Sequence, residues 1–158
     1  MKLFHFTSYD NLEGIGEHRL VPAIGEHSEH TVTLGVPVVW LTPKPRPTWM
    51  IGIPEDLCML TLEVKRSKHL HHWRSWLAGA EAEAIDNKTG KPFRVVGKEV
   101  LAIMDAHTEL GPFASNVVTD TDSYFIYTNT IHSRRIIECR RVQYEVIQGP
   151  KEANPTGA

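Results

Sequence analysis

Three prolines at alternate positions follow directly on one of the most strand-like segments of the chain. Residues 38–42 read Val-Val-Trp-Leu-Thr, a β-branched and aromatic run that is typical of a strand. Pro43, Pro45 and Pro47 have no amide hydrogen to donate to a sheet ladder, so the strand has to end there. We therefore predict a loop from these prolines to about residue 56.

Other short apolar segments predict further strands. Residues 57–64 alternate between two sets of side chains at the period of a strand. Residues 3–6, 93–96 and 124–127 are rich in aromatic and β-branched side chains, and residues 136–147 place Val142, Tyr144 and Val146 on one face. The glycine-containing and polar stretches 23–37 and 111–122 have no sustained period and are predicted to be loops.

Helical spacing predicts three helices. The first is capped by Ser8 or Asp10 and ends near residues 16–19. The second is capped by Ser67 and repeats apolar side chains at helical spacing: Leu70, Trp73, Trp76, Leu77 and Ala80. The third covers residues 98–109, with Val100, Leu101 and Met104 facing inward. With about six strands, this pattern indicates an α+β fold.

Size and composition predict one domain. The 158 residues suffice for a continuous core, which we assign to residues 1–148, with a disordered tail at 149–158. A formal net charge of −2 argues against a general polyanion binder, so any contact with nucleic acid has to be local. The N-terminus lacks a signal-peptide pattern, and Cys58 and Cys139 are expected to be buried thiols, which together favour the cytoplasm.

Three motifs stand in a recognisable order. The first strand carries His5-Phe6-Thr7-Ser8, residues 15–22 read Ile-Gly-Glu-His-Arg-Leu-Val-Pro, a later strand carries Trp40-Leu41-Thr42, and an aromatic strand runs from Ser123 to Tyr127. This order resembles the histidine-bearing branch of the ADP-ribosyltransferase superfamily, in which His-x-Thr/Ser is followed by a short helix and Ile-x-x-x-Gly-Leu-x-Pro. The motifs span residues 3 to about 138.

The resemblance implies a split antiparallel sheet with about three helices and a pocket for NAD, with no metal. His5 would bind an NAD ribose, Phe6 would offer its backbone to the carboxamide, and Trp40 would stack near the nicotinamide. Thr42 would occupy the small-residue position beside it, and Thr7 and Tyr124 complete the expected cofactor-binding set. These residue types suit a ligand with a flat ring and ribose hydroxyls.

Two positions depart from the family pattern. Transferases of this superfamily usually carry a glutamate at or just before the third strand, where it stabilises the charge that develops as nicotinamide leaves. Here Ser123 stands at that position, so the expected catalytic set is His5, Asp122 and Ser123, with Asp120, Glu109 and Glu138 as further candidate carboxylates. Arg19 replaces the glycine that the family favours, which predicts a rebuilt helix end.

Structural roles compete with these functional assignments. His5 on an apolar strand is also explained as a core histidine, and Trp40 as core packing. His69, His71 and His72 suggest a metal site, but we favour an exposed polar face of the second helix. The basic residues at 65–68, 134–135 and 140–141 are solvated faces unless folding brings them to one side, where they would guide a phosphate-bearing target.

The leading hypothesis is a mono-ADP-ribosyltransferase that transfers ADP-ribose from NAD to a protein or nucleic-acid acceptor, with no membrane partner. In its small size the chain resembles bacterial or phage effectors. The first alternative is an NAD glycohydrolase, in which water is the acceptor. The second is a non-catalytic binding module that kept the pocket and lost the acid. The related RNA phosphate-removing transferases carry a further winged-helix half, for which this chain has no room.

Overall fold

The computed structural model describes residues 1–23, 32–45, 56–107 and 123–142, and every structural statement below concerns these residues. They form eight strands and three α-helices. The strands are β1 (Lys2–Ser8), β2 (Val39–Leu41), β3 (Leu57–Glu63), β4 (Leu70–His72), β5 (Glu81–Ile85), β6 (Pro92–Val96), β7 (Phe125–Tyr127) and β8 (Ile136–Arg141). The helices are α1 (Leu12–His18), α2 (Trp73–Ala78) and α3 (Gly97–His107), and short 3-10 turns cover Tyr9–Asn11 and Ser133–Arg135.

The strands build three antiparallel sheets, which confirms the predicted α+β class. The first sheet has the order β1-β3-β8, the second has the order β2-β7-β4, and β5 pairs with β6 in a separate hairpin. In the part of the chain that the structure describes, no helix is long and apolar enough to cross a membrane.

Two hydrophobic cores lie on the two faces of the second sheet. The first core joins the sheets and α1 and includes Leu3, Leu41 and Leu62. The second core joins the second sheet to α2 and α3 and includes Trp73 and Ile126. Because successive side chains of a strand point to opposite faces, β2 supplies both cores, with Val39 and Leu41 on one side and Val38 and Trp40 on the other. β2 is therefore held by packing on both of its faces.

The predicted strands at 3–6, 38–42, 57–64, 93–96 and 124–127 are confirmed, with ends that differ by one or two residues. The strand at 136–147 is confirmed as far as Arg141, and its later face with Tyr144 and Val146 lies outside the described residues. The predicted tail at 149–158 and most of the loops at 23–37 and 111–122 also lie outside them. The hairpin strand β5 was not predicted, because its alternating Glu and Ala side chains carry little hydrophobic signal.

Two helix predictions were wrong in detail. Ser8 and Asp10 do not cap α1, because a 3-10 turn precedes it and Asn11 occupies the N-cap position without a side-chain hydrogen bond. Ser67 does not start a helix either, since residues 70–72 form β4 beside β7 and α2 begins only at Trp73. Leu70 to His72 match a short strand as well as one helical turn, and pairing with β7 decides between them.

The two cysteines are free thiols, as expected, but only Cys58 is buried. Cys139 lies on β8 and is exposed, which corrects the prediction that both are buried. Partial burial and the neighbouring Cys58 raise the pKa of the Cys139 thiol.

The end of α1 keeps a glycine-like backbone although the residue there is an arginine. Arg19 follows the helix with φ 90° and ψ 168°, a region that is populated almost only by glycine. Its amide still donates to the Ile15 carbonyl, at 2.9 Å. The chain thus forms this turn without a glycine and holds the arginine in a strained conformation, and the rebuilt helix end stays a prediction.

Replacing Arg19 by glycine should raise the free energy of unfolding by about 1 kcal/mol, because the strain is relieved while glycine adds some freedom to the unfolded chain. Arg19→Ala is the matched control, since alanine lacks the arginine side chain but keeps the Cβ atom that causes the strain. Urea unfolding compares the two. A glycine variant no more stable than the alanine variant would show that the conformation is not strained.

Candidate functional site

The two sheets meet where β1 passes β2. The Phe4 amide donates to the Thr42 carbonyl at 2.8 Å, and the Thr42 amide donates to the Phe4 carbonyl at 2.9 Å. Among the described residues this is the one backbone pair between these strands. Beyond it, the strands part, and the candidate site lies at this point of separation.

A side chain takes over where the backbone pairing stops. Alternate residues direct their backbone groups to the same edge of a strand, so Trp40, two residues before Thr42, also directs its carbonyl towards β1. The Trp40 carbonyl lies 2.8 Å from Nδ1 of His5. The imidazole therefore bridges the gap between the two sheets.

This hydrogen bond fixes the tautomer of His5. A carbonyl oxygen can only accept, so Nδ1 has to carry the proton and donate it to Trp40. In the neutral ring, Nε2 then has a lone pair and can accept a hydrogen bond but not donate one. The ring can thus receive a hydroxyl group of a ligand.

Burial keeps this imidazole neutral. Desolvation lowers the pKa of His5 below its ordinary value of 6.5, and the bond to the Trp40 carbonyl opposes this only in part. His5 shares its row of the first sheet with Leu60 and Cys139, on the same face as Leu3 and Leu62 of the first core.

Trp40 belongs to an aromatic cluster. Its ring centroid lies 5.9 Å from that of Tyr124, edge to face, and 6.1 Å from that of Trp73. The indole Nε1 of Trp40 is buried and has no hydrogen-bond partner among the described residues, whereas Nε1 of Trp73 donates to the Val32 carbonyl at 3.2 Å. Sequence patterns did not associate Trp73 with this site, because a helical tryptophan far along the chain gives no such signal.

The predicted hydroxyl residues have structural partners. Thr42 is buried, and its Oγ1 accepts a hydrogen bond from the Lys44 amide at 3.2 Å, which shapes the turn after β2. Oγ1 of Thr7 accepts from Nδ2 of Asn11 at 3.0 Å. Both hydroxyl groups are therefore engaged in local hydrogen bonds that shape the chain after β2 and after β1.

Three predicted site residues remain: Phe6, Tyr124 and Ser123. Phe6 lies on β1 opposite Met59 and directs its backbone groups to the same edge as Phe4. Tyr124 contacts Trp40 through its ring and accepts a hydrogen bond from the Trp73 amide at 3.0 Å. Ser123 is half-buried directly before Tyr124. The structure thus brings the histidine strand and the aromatic strands of the predicted site together.

No described carboxylate completes the predicted catalytic set. Asp122, Asp120 and Glu109 lie outside the described residues. Glu138 pairs across β3 with Thr61, in the row of Phe4, so it is on the opposite face of the first sheet from His5. It is exposed and forms an ion pair with Arg140 at 3.3 Å. Glu138 is therefore not a candidate for the acid beside His5.

Of the three histidines near residue 70, His71 and His72 lie on β4 and His69 lies in the turn before it, so they do not form a helix face. The His69 ring packs on Tyr127 at 5.8 Å, and the His72 ring packs on Phe125 at 5.5 Å. All three are half-buried, which corrects the expected exposed polar face. In the described ranges, no three His, Cys, Asp or Glu side chains are grouped so that they could hold a metal ion.

Comparison of the chain with protein-family models, with curated proteins and with solved structures finds no significant match.

The two tryptophans of the cluster should respond differently to replacement by phenylalanine. Trp73→Phe should cost about 1–2 kcal/mol more free energy of unfolding than Trp40→Phe, because it leaves the Val32 carbonyl without its donor and opens a fully buried site. Trp40→Phe removes an indole N–H that has no described partner. Chemical denaturation of both variants measures the difference, and equal losses would contradict this account.

The neutral state of His5 predicts a pH dependence of stability. Since the pKa of His5 is lowered in the folded protein, the unfolded chain takes up a proton first as the pH falls. The stability that depends on neutral His5 is complete above pH 6.5 and is lost as the pH falls from 6.5 towards the folded-state pKa. The free energy of unfolding should thus decrease less between about pH 7 and pH 5 in His5→Asn than in the wild type. Parallel curves would contradict the lowered pKa.

Proposed function

We propose that the chain is an ADP-ribosyltransferase-like domain that binds NAD where β1 and β2 part. The observation that carries the proposal is the hydrogen bond from His5 Nδ1 to the Trp40 carbonyl, which joins the histidine motif and the aromatic motif of the resemblance at one point. This bond leaves Nε2 as an acceptor. A ribose hydroxyl of NAD is a donor of the required kind.

Further features support a nucleotide pocket at this place. Two separate antiparallel sheets that meet at β1 and β2 agree with the split sheet that the resemblance implies. Arg19 adopts the glycine conformation at the position where the family favours glycine. The aromatic rings of Trp40 and Tyr124 pack edge to face on the side of β2 that faces the second core, and rings of this kind suit a flat carboxamide ring.

The reaction that we propose is transfer of ADP-ribose. The bond between the nicotinamide nitrogen and the ribose carbon breaks, nicotinamide leaves with the electron pair, and a nucleophile of the acceptor bonds to that carbon. His5 holds and orients the ribose but supplies no proton, because its Nε2 is unprotonated. The acid that stabilises the developing charge is assigned to Asp122 or its neighbours in the chain, as a proposal from sequence.

The serine at position 123, where the family carries a glutamate, favours a second candidate, a module that binds NAD without transferring it. Among the described groups, only burial and the Trp40 carbonyl shift the pKa of His5, and no acidic side chain does so. NAD hydrolysis, with water as the nucleophile, requires the same acid as transfer. These alternatives differ in their products and share the binding step.

The decisive variant is His5→Asn. The asparagine amide can replace Nδ1 as the donor to Trp40, but it has no acceptor at the position of Nε2. We expect NAD affinity to fall at least about tenfold, the loss of one buried hydrogen bond, while the fold is retained. Lys88→Ala, on the exposed turn between β5 and β6, is the control that should bind NAD as the wild type does.

Isothermal titration with NAD measures binding, and release of nicotinamide with labelled ADP-ribose on protein or nucleic acid measures transfer. Free ADP-ribose alone would indicate hydrolysis, and binding without products would indicate the module. A wild-type protein that does not bind NAD, or a His5→Asn variant that binds it equally well, would overturn the proposal.

A further inference from the structure

Two connections between the sheets run side by side at one end of the molecule. β3 of the first sheet continues through residues 64–69 into β4 of the second, and β7 of the second returns through residues 128–135 into β8 of the first. Because β3 pairs with β8 and β4 pairs with β7, these connections start and end next to each other. The Thr128 amide donates to the His69 carbonyl at 2.9 Å and holds them together.

These two connections concentrate positive charge. The first contains Lys65, Arg66 and Lys68 and the second contains Arg134 and Arg135, while neither contains an aspartate or a glutamate. All five side chains are exposed except Arg135, which is half-buried. Two groups that are distant in the sequence thus form one surface in a chain whose formal net charge is −2.

Arg19 and Lys2 extend the same surface. Leu20 and Ile131 exchange backbone hydrogen bonds of 3.0 and 2.9 Å, and this antiparallel bridge places Arg19 beside His132. Lys2 pairs across the first sheet with Glu63, at the end of β3 from which the first connection starts. We use the name basic end for this set of residues: Lys2, Arg19, Lys65, Arg66, Lys68, Arg134 and Arg135.

Few carboxylates compensate this charge. Glu63 is bound by the N-terminal ammonium group at 2.8 Å, and that bond, with Lys2 and Arg135 nearby, lowers the pKa of its carboxyl group. The pKa of His132 is lowered by partial desolvation and by the charges of Arg134, Arg19 and Arg135. The arginines therefore act together on the space around His132. None of them has a carboxylate within 4.0 Å among the described residues.

We propose that the basic end binds the phosphate backbone of a single-stranded nucleic acid and that this strand is the acceptor of the ADP-ribose. Arginine guanidinium groups match phosphate oxygens in pairs. Asn129 and Thr130, in the second connection, add neutral donors, and the half-buried His69 and Tyr127 rings offer a surface for base stacking. A single strand needs such rings together with a positive groove.

The distance from the basic end to the candidate pocket suits this acceptor. Lys2 and His5 are three residues apart on one extended strand, which corresponds to about 10 Å, and their side chains point to opposite faces of the sheet. A nucleic-acid strand held at the basic end therefore has to pass β1, the outer strand of its sheet, to bring its next nucleotides to the NAD ribose. A nitrogen or oxygen of the strand would bond to the ribose carbon as nicotinamide leaves with the electron pair, and the proton of that nucleophile passes to solvent.

The strain at Arg19 supports a use for its side chain. Glycine would be less strained at this position, so the arginine costs the folded chain some stability. Its side chain adds charge to the basic end, where it faces the segment of Arg134. This observation is independent of the charge count in the two connections.

Fluorescence anisotropy with labelled single-stranded DNA and RNA 20-mers, in the absence of NAD, tests the surface directly. The wild type should bind more weakly as salt rises from about 50 to 200 mM. The double variant R134E/R135E should lose at least tenfold in affinity. The slope of its log affinity against log salt concentration should fall in magnitude by about 1.4, or about 0.7 for each lost phosphate contact.

K65E/R66E should show the same losses, so a folding failure of one double variant leaves the other to test the surface. K88E/K91E, on the exposed β5–β6 turn, is the charge-matched control and should bind as the wild type does.

Arg19→Gly gives the sharpest separation of folding from binding, because it should melt at a higher temperature than the wild type and yet bind the strand more weakly. Three results would refute nucleic-acid binding by the basic end. They are no binding of the 20-mers by the wild type, equal binding by the basic-end variants, and binding of anionic phospholipid vesicles instead of the 20-mers.

The acceptor assignment rests on the proposed function and has its own readout. Radiolabelled NAD should label the 20-mer with the wild type and label it less with R134E/R135E, while both proteins bind NAD equally. Strand binding without label on the strand would remove the acceptor assignment and leave the surface. A wild type that binds the strand but not NAD would refute the proposed function, and the acceptor assignment with it, and would leave the surface.

Discussion

The contact between β1 and β2 is the constraint on which the rest of the structure depends. One pair of backbone hydrogen bonds, between Phe4 and Thr42, joins two three-stranded sheets that otherwise pair only within themselves. β2 is packed on both faces by separate cores and pairs with β7. Among the described residues its backbone contact with β1 is limited to this single pair, after which the two strands part.

His5 compensates for this separation. Its imidazole satisfies the Trp40 carbonyl, which would otherwise be a backbone acceptor at a buried edge. The same bond selects the tautomer that leaves Nε2 as an acceptor, and burial keeps the ring neutral. One residue thus closes the fold at the junction and presents the group that we assign to ligand binding, so the structural and functional explanations of His5 are not exclusive.

Local patterns predicted the elements better than their assembly. The alternation in residues 57–64 and the aromatic run at 124–127 are strong enough to identify β3 and β7 from sequence. Residues 70–72 are too short for their period to decide between strand and helix, and β4 exists because β7 offers an edge. The capping residues of α1 were wrong because a 3-10 turn precedes the helix, and the Tyr9 amide at its start donates to the Asp56 carbonyl, distant in the sequence, at 2.7 Å.

The sequence singles out candidate residues for the site, which stay a prediction, but it does not indicate their contacts. The resemblance singled out His5 and Trp40, but only the folded chain shows that the histidine binds the tryptophan carbonyl while the indole packs on Trp73 and Tyr124. Likewise, the basic residues at 65–68 and 134–135 were visible in the sequence, and their meeting depends on the pairing of β3 with β8. The pair at 140–141 lies at the other end of β8 and does not join them.

The central claim is that His5 is held as the Nδ1–H tautomer with Nε2 ready to accept a ligand hydroxyl. Long-range nitrogen–proton correlation NMR of the protein labelled with nitrogen-15 histidine measures the protonation of both ring nitrogens, with and without NAD. Our account predicts a neutral ring with a proton on Nδ1 at pH 7, and a change in the Nε2 signal of His5 when NAD is added. A proton on Nε2, or a His5 signal that NAD leaves unchanged, would contradict it.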